Sequence, residues 1–571
     1  MRKLLTSLLP VVVLGLALSP PVPAQSPMAQ PSADPWWKHA VIYEVYPRSF
    51  QDSDGNGIGD LNGITSRLDY LHDLGVDAIW ITPFYPSPQV DFGYDISDYT
   101  AVDSQFGTMA DFDRLVREAK KRGVRVIVDY VANHTSDQHA WFKESRSSRD
   151  NPKRNWYIWH DGKGPGRPPN NWLSWFGHSA WTLDSTTGQY YYHYFYVQQP
   201  DLNWRNADVQ KAMYDVMRFW LDRGAAGFRI DAVSRLFEDP DLHDDPLLPG
   251  HNAYGDPNIE HKYTDNLPEV HAILRQFRKI VDSYSGDPVL ISEADQPNIA
   301  ELTKMYGHND EIQLPMDFQV ADVNRLSAAD FRRLLNEVDN NPAGGQPHYF
   351  FSNHDQARQW DRYGDGKHND QIAKLMATLL LTTRATPQMY YGEELGMRTT
   401  PPARKEDVKD PIGKIGWPKE KGRDGERTPM QWDGSKNAGF TAGNKPWLPV
   451  PPAAARYNVQ TELGRPDSIL NFYKKLITLR RTLPALRDGS QEMLDFDAQN
   501  VLAYVRKAPG SGDAVLVALN MTAAAKKLSF DLSKLGLAAK SGTPLVPESK
   551  TAVRLESVSL PPFGILVVDL R

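Results

Sequence analysis

The chain has 571 residues, of which 40% are hydrophobic and 24% are charged, and its formal net charge is −7. This length and composition predict a soluble globular protein of two or three domains and exclude a disordered or fibrous one. The weak acidity, without any basic stripe, argues against nucleic acid as a partner. The absence of cysteine excludes disulfides, thiolate metal sites and a cysteine nucleophile.

The first residues of the chain have the pattern of an export signal. Arg2 and Lys3 precede an apolar run over residues 4–19, and residues 22–24 (VPA) fit the small-residue pattern before a cleavage point. A membrane anchor is the alternative, but the run is short for a span and contains Pro10. We expect residues 1–24 to be a signal peptide and residues 25–35 a disordered lead. The mature protein would then be periplasmic or secreted, with no membrane attachment.

From about residue 40, short apolar strands alternate with amphipathic helices, which is typical of a parallel α/β fold. The predicted helices include residues 64–75, 111–123, 206–224 and 468–483. The eight predicted strands are residues 40–47, 77–83, 125–133, 226–233, 288–294, 311–318, 348–355 and 386–394. Their number and order predict a (β/α)8 TIM barrel.

Two stretches interrupt or end this alternation. Residues 134–205 are rich in Trp, Tyr, Gly, Pro and Asn, and they predict an inserted subdomain after strand three. Beyond about residue 490, strands follow one another without helices, which predicts a C-terminal all-β sandwich domain over residues 490–571. The catalytic barrel would then comprise residues 36–133 and 206–489.

Polar side chains collect at the carboxyl ends of the predicted strands, where a barrel carries its active site. A single acid there is more often a helix cap or an ion-pair partner, whereas several acids at one mouth perturb each other's pKa and indicate function. The residues are Asn133, His134, Arg229, Asp231, Glu293, His354 and Asp355. Hydrolysis of a glycosidic bond requires two carboxylates, one to attack the anomeric carbon and one to protonate the leaving oxygen.

A second motif lies after the first predicted strand. DSDGNGIGD (52–60) offers side-chain oxygens at Asp52, Asp54, Asn56 and Asp60, together with the carbonyl oxygen of Ile58. Alternating oxygen ligands separated by glycines suit Ca²⁺, and Mg²⁺ is an alternative. A glycine-rich loop capped by acids would have the same sequence. The motif lacks the downstream bidentate Glu of an EF-hand.

Four segments in fixed order identify a family. DYVANH (129–134), GFRIDAV (227–233), SEA (292–294) and FFSNHD (350–355) resemble the motifs of glycoside hydrolase family 13, the α-amylase family. QPDLNW (199–204) is similar to its α-glucosidase and oligo-1,6-glucosidase branch. With AVIYEVYPRSF (40–50) and the C-terminal module, the resemblance covers nearly the whole mature chain.

The resemblance implies roles for individual residues. Asp231 would be the nucleophile, Glu293 the general acid/base, and Asp355 the acid that holds the sugar hydroxyls. Arg427, in ERTPMQWD (426–433), would close the pocket against the non-reducing end. The implied ligands of the innermost glucose are Asp91, Tyr94, His134, Arg229 and His354, with Phe195 as a weaker candidate. Similar α-glucosidases bind a structural calcium in the 52–60 loop, and no organic cofactor is implied.

The expected activity is that of a retaining, exo-acting α-glucosidase on small α-glucosides, as a monomer or weak homo-oligomer. Ala232 after the nucleophile resembles α-1,4 enzymes, because α-1,6 enzymes of this branch often carry Val there. Oligo-1,6-glucosidase activity and glucosyl transfer of the trehalose synthase or sucrose isomerase type remain alternatives. Sucrose isomerases carry an Arg–Asp loop motif that residues 356–366 lack. A non-catalytic sugar-binding homologue is a remote alternative, since all three acids are present.

Overall fold

The computed structural model describes residues 34–342 and 344–571. The predicted signal peptide, residues 1–24, and residues 25–33 of the predicted lead lie outside this range. Among the described residues, no helix is both long enough and apolar enough to cross a membrane.

Eight parallel strands form the barrel and confirm the predicted fold class. Each strand pairs with its sequence neighbour, the first also pairs with the eighth, and a bridge between Met316 and His348 joins the sixth to the seventh. In chain order the strands are Ile42–Val45, Ala78–Ile81, Arg125–Val131, Gly227–Asp231, Val289–Ser292, Leu314–Pro315, His348–Tyr349 and Thr386–Tyr390. The sixth and seventh strands are shorter than predicted, and their polar ends continue as loops at the mouth.

Helices cover the outside of the barrel. Capping explains where several begin: Thr108 and Asp111 form a capping box for Met109–Lys121, and the Asn206 side chain caps Ala207–Asp222. The other principal helices are Val270–Asp282, Ala328–Asp339, Asn369–Thr382 and Ile469–Thr482. The helix predicted over residues 64–75 is two helices, Leu61–Ser66 and Leu68–Leu74, which meet at Arg67.

Alternate residues of each strand face opposite sides of the barrel wall. Ile42, Trp80, Ile127 and Ile291 belong to one buried cluster within the barrel. Their immediate neighbours, such as Tyr43, Ile79 and Val128, instead join the large core under the helices. Arg229 and Asp231 are two residues apart on the fourth strand, so the same alternation places both side chains on one face.

The segment between strand three and the helix Ala207–Asp222 has its own small core. It contains the helix Ala140–Ser147 and a three-stranded antiparallel sheet of Trp159–His160, Gln189–Tyr192 and Trp181–Asp184. Aromatic side chains make up most of this core, including Trp172, Trp181, Tyr190, Tyr192 and Tyr194. A second extension, after strand four, carries the unpredicted hairpin Leu247–His251 and Pro257–Ile259.

The C-terminal region is entirely β apart from short 3-10 turns. A six-stranded antiparallel sheet contains Ser490–Leu494, Val501–Lys507, Ala514–Asn520, Ile565–Asp569, Ser541–Val546 and Val553–Arg554, in that spatial order. Lys526–Leu528 and Val558–Leu560 form a second, two-stranded sheet. One face of the large sheet packs in a local core, and the other face joins the core of the barrel helices.

Candidate active site

The ends of the fourth and fifth strands carry the two predicted catalytic acids. Asp231 is the last residue of Gly227–Asp231, and Glu293 directly follows Val289–Ser292. The guanidinium of Arg229 joins them, because Nη1 donates to Asp231 Oδ1 at 2.7 Å and Nη2 donates to Glu293 Oε2 at 2.5 Å. Both acids therefore meet at one point of the barrel mouth.

The two carboxyls differ in pKa although they share Arg229. Burial, partly offset by the positive charge of Arg229, raises the pKa of Asp231 to about 6. Burial raises the pKa of Glu293 to about 8, and the negative charges of Asp231 and Asp355 add to this effect against that of Arg229. Near neutral pH, Asp231 is mainly ionised and Glu293 mainly protonated. A nucleophile and a general acid require these two states.

A third carboxylate, which the sequence reasoning missed, supports Arg229 from behind. Asp129 of strand three is buried and accepts from Arg229 Nη1 at 3.2 Å. The indole N–H of Trp80 donates to Asp129 at 3.1 Å, and the Trp80 ring lies 4.8 Å from the guanidinium carbon. The sequence did contain a signal for Asp129, which is an acid inside an otherwise apolar strand. Such an acid is buried, and a buried charge needs a partner of opposite charge.

His354 lies beneath the pocket and is held on two sides. Its Nδ1 is 2.7 Å from Glu44 Oε1 of the first strand, and its Nε2 is 2.8 Å from the Tyr94 hydroxyl. The rings of Tyr94 and His354 are stacked, with centroids 5.4 Å apart and planes 5° apart. Burial lowers the pKa of His354 well below its usual value. Glu44 is a further residue that the sequence reasoning did not select.

Two arginines bind Asp355: Arg427, which was predicted to close the pocket, and Arg423, which was not predicted. Arg427 is buried, with Nη2 donating to Asp355 Oδ1 at 2.6 Å, and it is not among the residues that line the pocket. Arg423 does line the pocket and donates to Asp355 at 2.8 Å and to Asp91 at 2.9 Å. Arg423 therefore occupies the position at the pocket wall that was predicted for Arg427. Burial would raise the pKa of Asp355, but His354 and the two arginines hold it well below its usual value.

The sequence offered a weak signal for Arg423. Both arginines lie in the stretch GRDGERTPMQWD (422–433), which has no helix or strand period that would tell which side chain reaches the pocket. Asp410 orients Arg423 by accepting from its Nε at 2.8 Å. Asp410 also caps the short helix Pro411–Gly416.

The remaining predicted sugar ligands lie on the same side of the mouth. Gln199 Nε2 donates to Asp91 at 3.1 Å, and His134 Nε2 lies 3.1 Å from the carbonyl oxygen of Tyr94. Burial lowers the pKa of His134 to about 3, so the imidazole is neutral. The Phe195 ring packs edge-on against His134, with centroids 5.1 Å apart. The structure thus brings Asp91, Tyr94, His134 and Phe195 together as pocket-lining residues.

These groups surround a cavity of about 450 Å³. Asp231, Glu293 and Asp355 all line it, whereas Arg229 and His354 lie behind its wall. Ala232, also at the wall, has a φ of 44°, in the left-handed region. β-Branched residues rarely adopt this conformation, so the backbone itself favours a small side chain beside Asp231.

The predicted metal ligands lie apart from these groups, in the loop before the helix Leu61–Ser66. Carboxylate oxygens of Asp52, Asp54 and Asp60 lie within 4.8 Å of one another. Asp52 accepts from the N–H groups of Asp54, Gly55 and Gly57 and from the Thr441 hydroxyl. The Asn56 side-chain oxygen accepts from the N–H of Ile58 at 2.7 Å. An all-oxygen donor set of this kind fits Ca²⁺ or Mg²⁺.

Comparison with known proteins agrees with this geometry. The model of the α-amylase catalytic domain matches residues 44–489. The chain is 42% identical over 513 residues to a probable α-glucosidase of Rhizobium meliloti (88% of this chain, 92% of the relative). It is 41% identical over 534 residues to an oligo-1,6-glucosidase of Heyndrickxia coagulans (87% and 93%). The crystal structure of the α-glucosyl transfer enzyme XgtA superposes with a TM-score of 0.86 at 39% identity, over 94% of this chain and 100% of the other. The chain is a glycoside hydrolase that belongs to the α-amylase family, family 13, in its α-glucosidase and oligo-1,6-glucosidase branch.

Proposed function

We propose that this enzyme removes terminal α-linked glucose from short, neutral oligosaccharides with retention of configuration, and that it prefers α-1,4 bonds. The observation that supports this most strongly is the bridge of Arg229 between Asp231 and Glu293. An inverting enzyme needs room for water between its carboxyls, which are then roughly 6.5–9.5 Å apart. Asp231 and Glu293 instead bind the two terminal nitrogens of one guanidinium at 2.7 and 2.5 Å, which favours the short separation of a retaining enzyme.

The reaction begins with attack by an oxygen of Asp231 on the anomeric carbon. The bond to the leaving oxygen breaks, and Glu293 donates its proton to that oxygen. In the second step Glu293, now ionised, takes a proton from water, which attacks the anomeric carbon and releases Asp231. Asp355, held ionised by Arg423 and Arg427, binds sugar hydroxyls during both steps.

The closed inner end of the pocket supports exo-action, in which the enzyme removes one glucose from the chain end. Arg423 spans Asp91 and Asp355 and thereby limits the inner end of the pocket to the terminal glucose.

The charge of the pocket favours neutral substrates. Among the described residues that line the pocket, acids outnumber arginines by eight to two. The acids are Asp91, Asp231, Glu293, Asp295, Asp322, Asp355, Glu420 and Glu426, and the arginines are Arg235 and Arg423. Such a field disfavours phosphorylated glucosides, because anions are repelled.

Glucosyl transfer is the second candidate activity. The similarity to a solved α-glucosyl transfer enzyme supports it. The chemistry differs only in the second step, where a sugar hydroxyl replaces water as the attacking group. We propose that transfer accompanies hydrolysis at high sugar concentration.

We further propose that the 52–60 loop binds a structural Ca²⁺, with Mg²⁺ as the alternative. Asp52, Asp54, Asn56, Asp60 and the Ile58 carbonyl would hold it, and the ion would neutralise acids whose present partners are N–H and O–H groups. We also propose export after removal of residues 1–24. N-terminal sequencing of protein recovered outside the cytoplasm should then begin at Gln25, whereas an intact Met1 would contradict export.

Two measurements test the activity. Purified protein should release p-nitrophenol from p-nitrophenyl α-glucoside, and NMR of maltose hydrolysis should show α-glucose first. An initial β-anomer would refute retention, and a folded protein without turnover would support a binding function. Initial rates on maltose, isomaltose, sucrose and soluble starch then rank the substrates, with maltose expected to exceed isomaltose and starch.

A further inference from the structure

An exposed tryptophan stands at the wall of the active-site pocket. Trp175 of the inserted segment lines the pocket, yet it is 50% exposed. Tryptophan is usually buried on average, and an exposed indole at a pocket wall offers an apolar face to a ligand. Neither the catalytic steps nor the binding of the terminal glucose uses this ring.

The backbone and neighbouring rings hold Trp175 in place. Its backbone N–H donates to the carbonyl oxygen of Tyr194 at 2.8 Å. The hydroxyl of the preceding Ser174 donates to the carbonyl oxygen of Phe195 at 2.7 Å. The indole is nearly parallel to the Tyr194 ring, with centroids 6.4 Å apart and planes 21° apart. The His261 ring packs 6.3 Å away. Trp175 and Tyr194 thus form an aromatic platform whose geometry is set by the protein itself.

Two polar groups lie beside the platform. The guanidinium carbon of Arg235 is 5.6 Å from the Trp175 centroid and 4.8 Å from that of Tyr194, and Arg235 forms an ion pair with Asp265. The Tyr194 hydroxyl is buried and has no hydrogen-bond partner among the described residues. Since this hydroxyl has no exposed surface, Tyr194 supports Trp175 through its ring, whereas Arg235 lines the pocket and offers donors to a ligand.

We propose that Trp175, Tyr194 and Arg235 form the subsite for the leaving-group sugar. This inference rests on the proposed function, since it assigns to these residues the ring bonded to the glucose that Asp231 attacks. Asp91, Asp355 and Arg423 surround the terminal glucose, so the leaving ring extends towards the wall that contains Ala232, Ser234 and Arg235. Trp175 stacks on the C–H face of a neutral pyranose, with the Tyr194 ring packed against the indole, and Arg235 donates hydrogen bonds to the sugar hydroxyls.

The test compares a substrate that has a leaving sugar with one that has none. Maltose places a glucose in the proposed subsite, whereas α-glucosyl fluoride leaves it empty. In Trp175→Ala, the ratio of kcat/KM for maltose to kcat/KM for α-glucosyl fluoride should fall about 5- to 10-fold, the loss expected for one aromatic contact. Trp175→Phe keeps an aromatic face and should restore the ratio to within about twofold of wild type.

Leu183→Ala is the matched control. Leu183 is 51% exposed in the same inserted segment but is not among the pocket-lining residues, so its substitution should leave the ratio unchanged. An unchanged ratio in Trp175→Ala would overturn the inference, whether both rates fall together or neither falls. If the wild-type enzyme still hydrolyses α-glucosyl fluoride, the proposed function remains supported although the subsite assignment is wrong. Absence of turnover on either substrate would refute the proposed function and this inference with it.

Discussion

Arg229 explains how two neighbouring acids take different protonation states. One guanidinium binds both Asp231 and Glu293, but Glu293 also experiences the charges of two ionised acids. The positive charge stabilises the Asp231 carboxylate, and that carboxylate in turn makes ionisation of Glu293 less favourable. Asp129 keeps Arg229 in position from the neighbouring strand. The acid–base assignment is thus a property of the whole group of buried charges.

These pKa values predict a bell-shaped dependence of kcat/KM on pH for maltose. Activity should rise as Asp231 loses its proton near pH 6, and it should fall as Glu293 loses its proton near pH 8. Fluoride leaves without protonation, so Glu293→Gln should retain substantial kcat/KM on α-glucosyl fluoride and lose the alkaline limb. An alkaline limb that persists in Glu293→Gln would assign the higher pKa to another group.

The sequence predicted those site residues that lie on, or directly after, regular strands. Asp231, Glu293 and Arg229 follow from strand position, because alternation and strand ends decide where those side chains point. Arg423 and Trp175 could not be predicted in the same way. Both lie in irregular segments, where tertiary contacts with Asp410 and Tyr194 determine their direction.

The end of the fourth strand borders the space next to Asp231, the proposed nucleophile. Ala232 follows the strand at a φ of 44° and lines the pocket, so a larger side chain there narrows the cavity and strains the backbone. Ala232→Val should raise the ratio of kcat/KM for isomaltose to that for maltose. It should also lower the free energy of unfolding by about 1–2 kcal/mol.

Ala232→Ser is the control for this change, because serine adds a small polar group without a branched Cβ. It should keep the wild-type preference for maltose. A Val variant with the wild-type ratio of rates would show that bond preference is set elsewhere in the pocket.

The loop after the first strand is expected to stabilise the barrel through a bound ion. Chelation with EDTA should lower the Tm while leaving turnover well below the Tm nearly unchanged, since the loop residues do not line the pocket. A metal present at about 100 times its Kd contributes about 2.7 kcal/mol. Asp54→Ala removes one exposed carboxylate of the cluster and should abolish the EDTA effect. A Tm that is insensitive to prolonged dialysis against EDTA would argue against the ion.

Elements with strong periodicity were predicted well, and elements shaped by tertiary contacts were not. The eight strands appear in the predicted order, because fully buried strands have distinctive apolar runs. The strands predicted over residues 311–318 and 348–355 shorten to two residues each, since their polar ends turn into the mouth. The hairpin Leu247–His251 and Pro257–Ile259 was missed because its residues are largely exposed and lack an apolar alternation.

The barrel and the C-terminal sheets share one core across their contact. Leu502, Tyr504 and Val517 belong to the same buried cluster as the barrel helices. Arg506 is fully buried and donates to the carbonyl oxygens of Thr382 at 2.7 Å and Gly489 at 2.8 Å. The two parts should therefore unfold together in a single transition.

Arg506→Ala should lower the free energy of unfolding by about 2–4 kcal/mol, because it leaves buried carbonyl oxygens without a donor. Urea denaturation followed by tryptophan fluorescence and circular dichroism measures this loss. The exposed Arg554 provides the control, and Arg554→Ala should change stability by less than about 0.5 kcal/mol. Two separate transitions in the wild type, or a neutral Arg506→Ala, would contradict the shared core.

The proposed reaction passes through a covalent intermediate on Asp231, and trapping this intermediate tests the mechanism directly. In 5-fluoro-α-glucosyl fluoride, the ring fluorine slows both steps and the anomeric fluoride is a good leaving group, so the glycosyl–enzyme should accumulate. Mass spectrometry should then find one fluoroglucosyl group per chain, and peptide mapping should place it on Asp231. Asp231→Asn should remain folded, take up no label and lose at least about 1000-fold in kcat/KM, equivalent to about 4 kcal/mol. A label on another carboxylate, or an active Asp231→Asn variant, would contradict this mechanism.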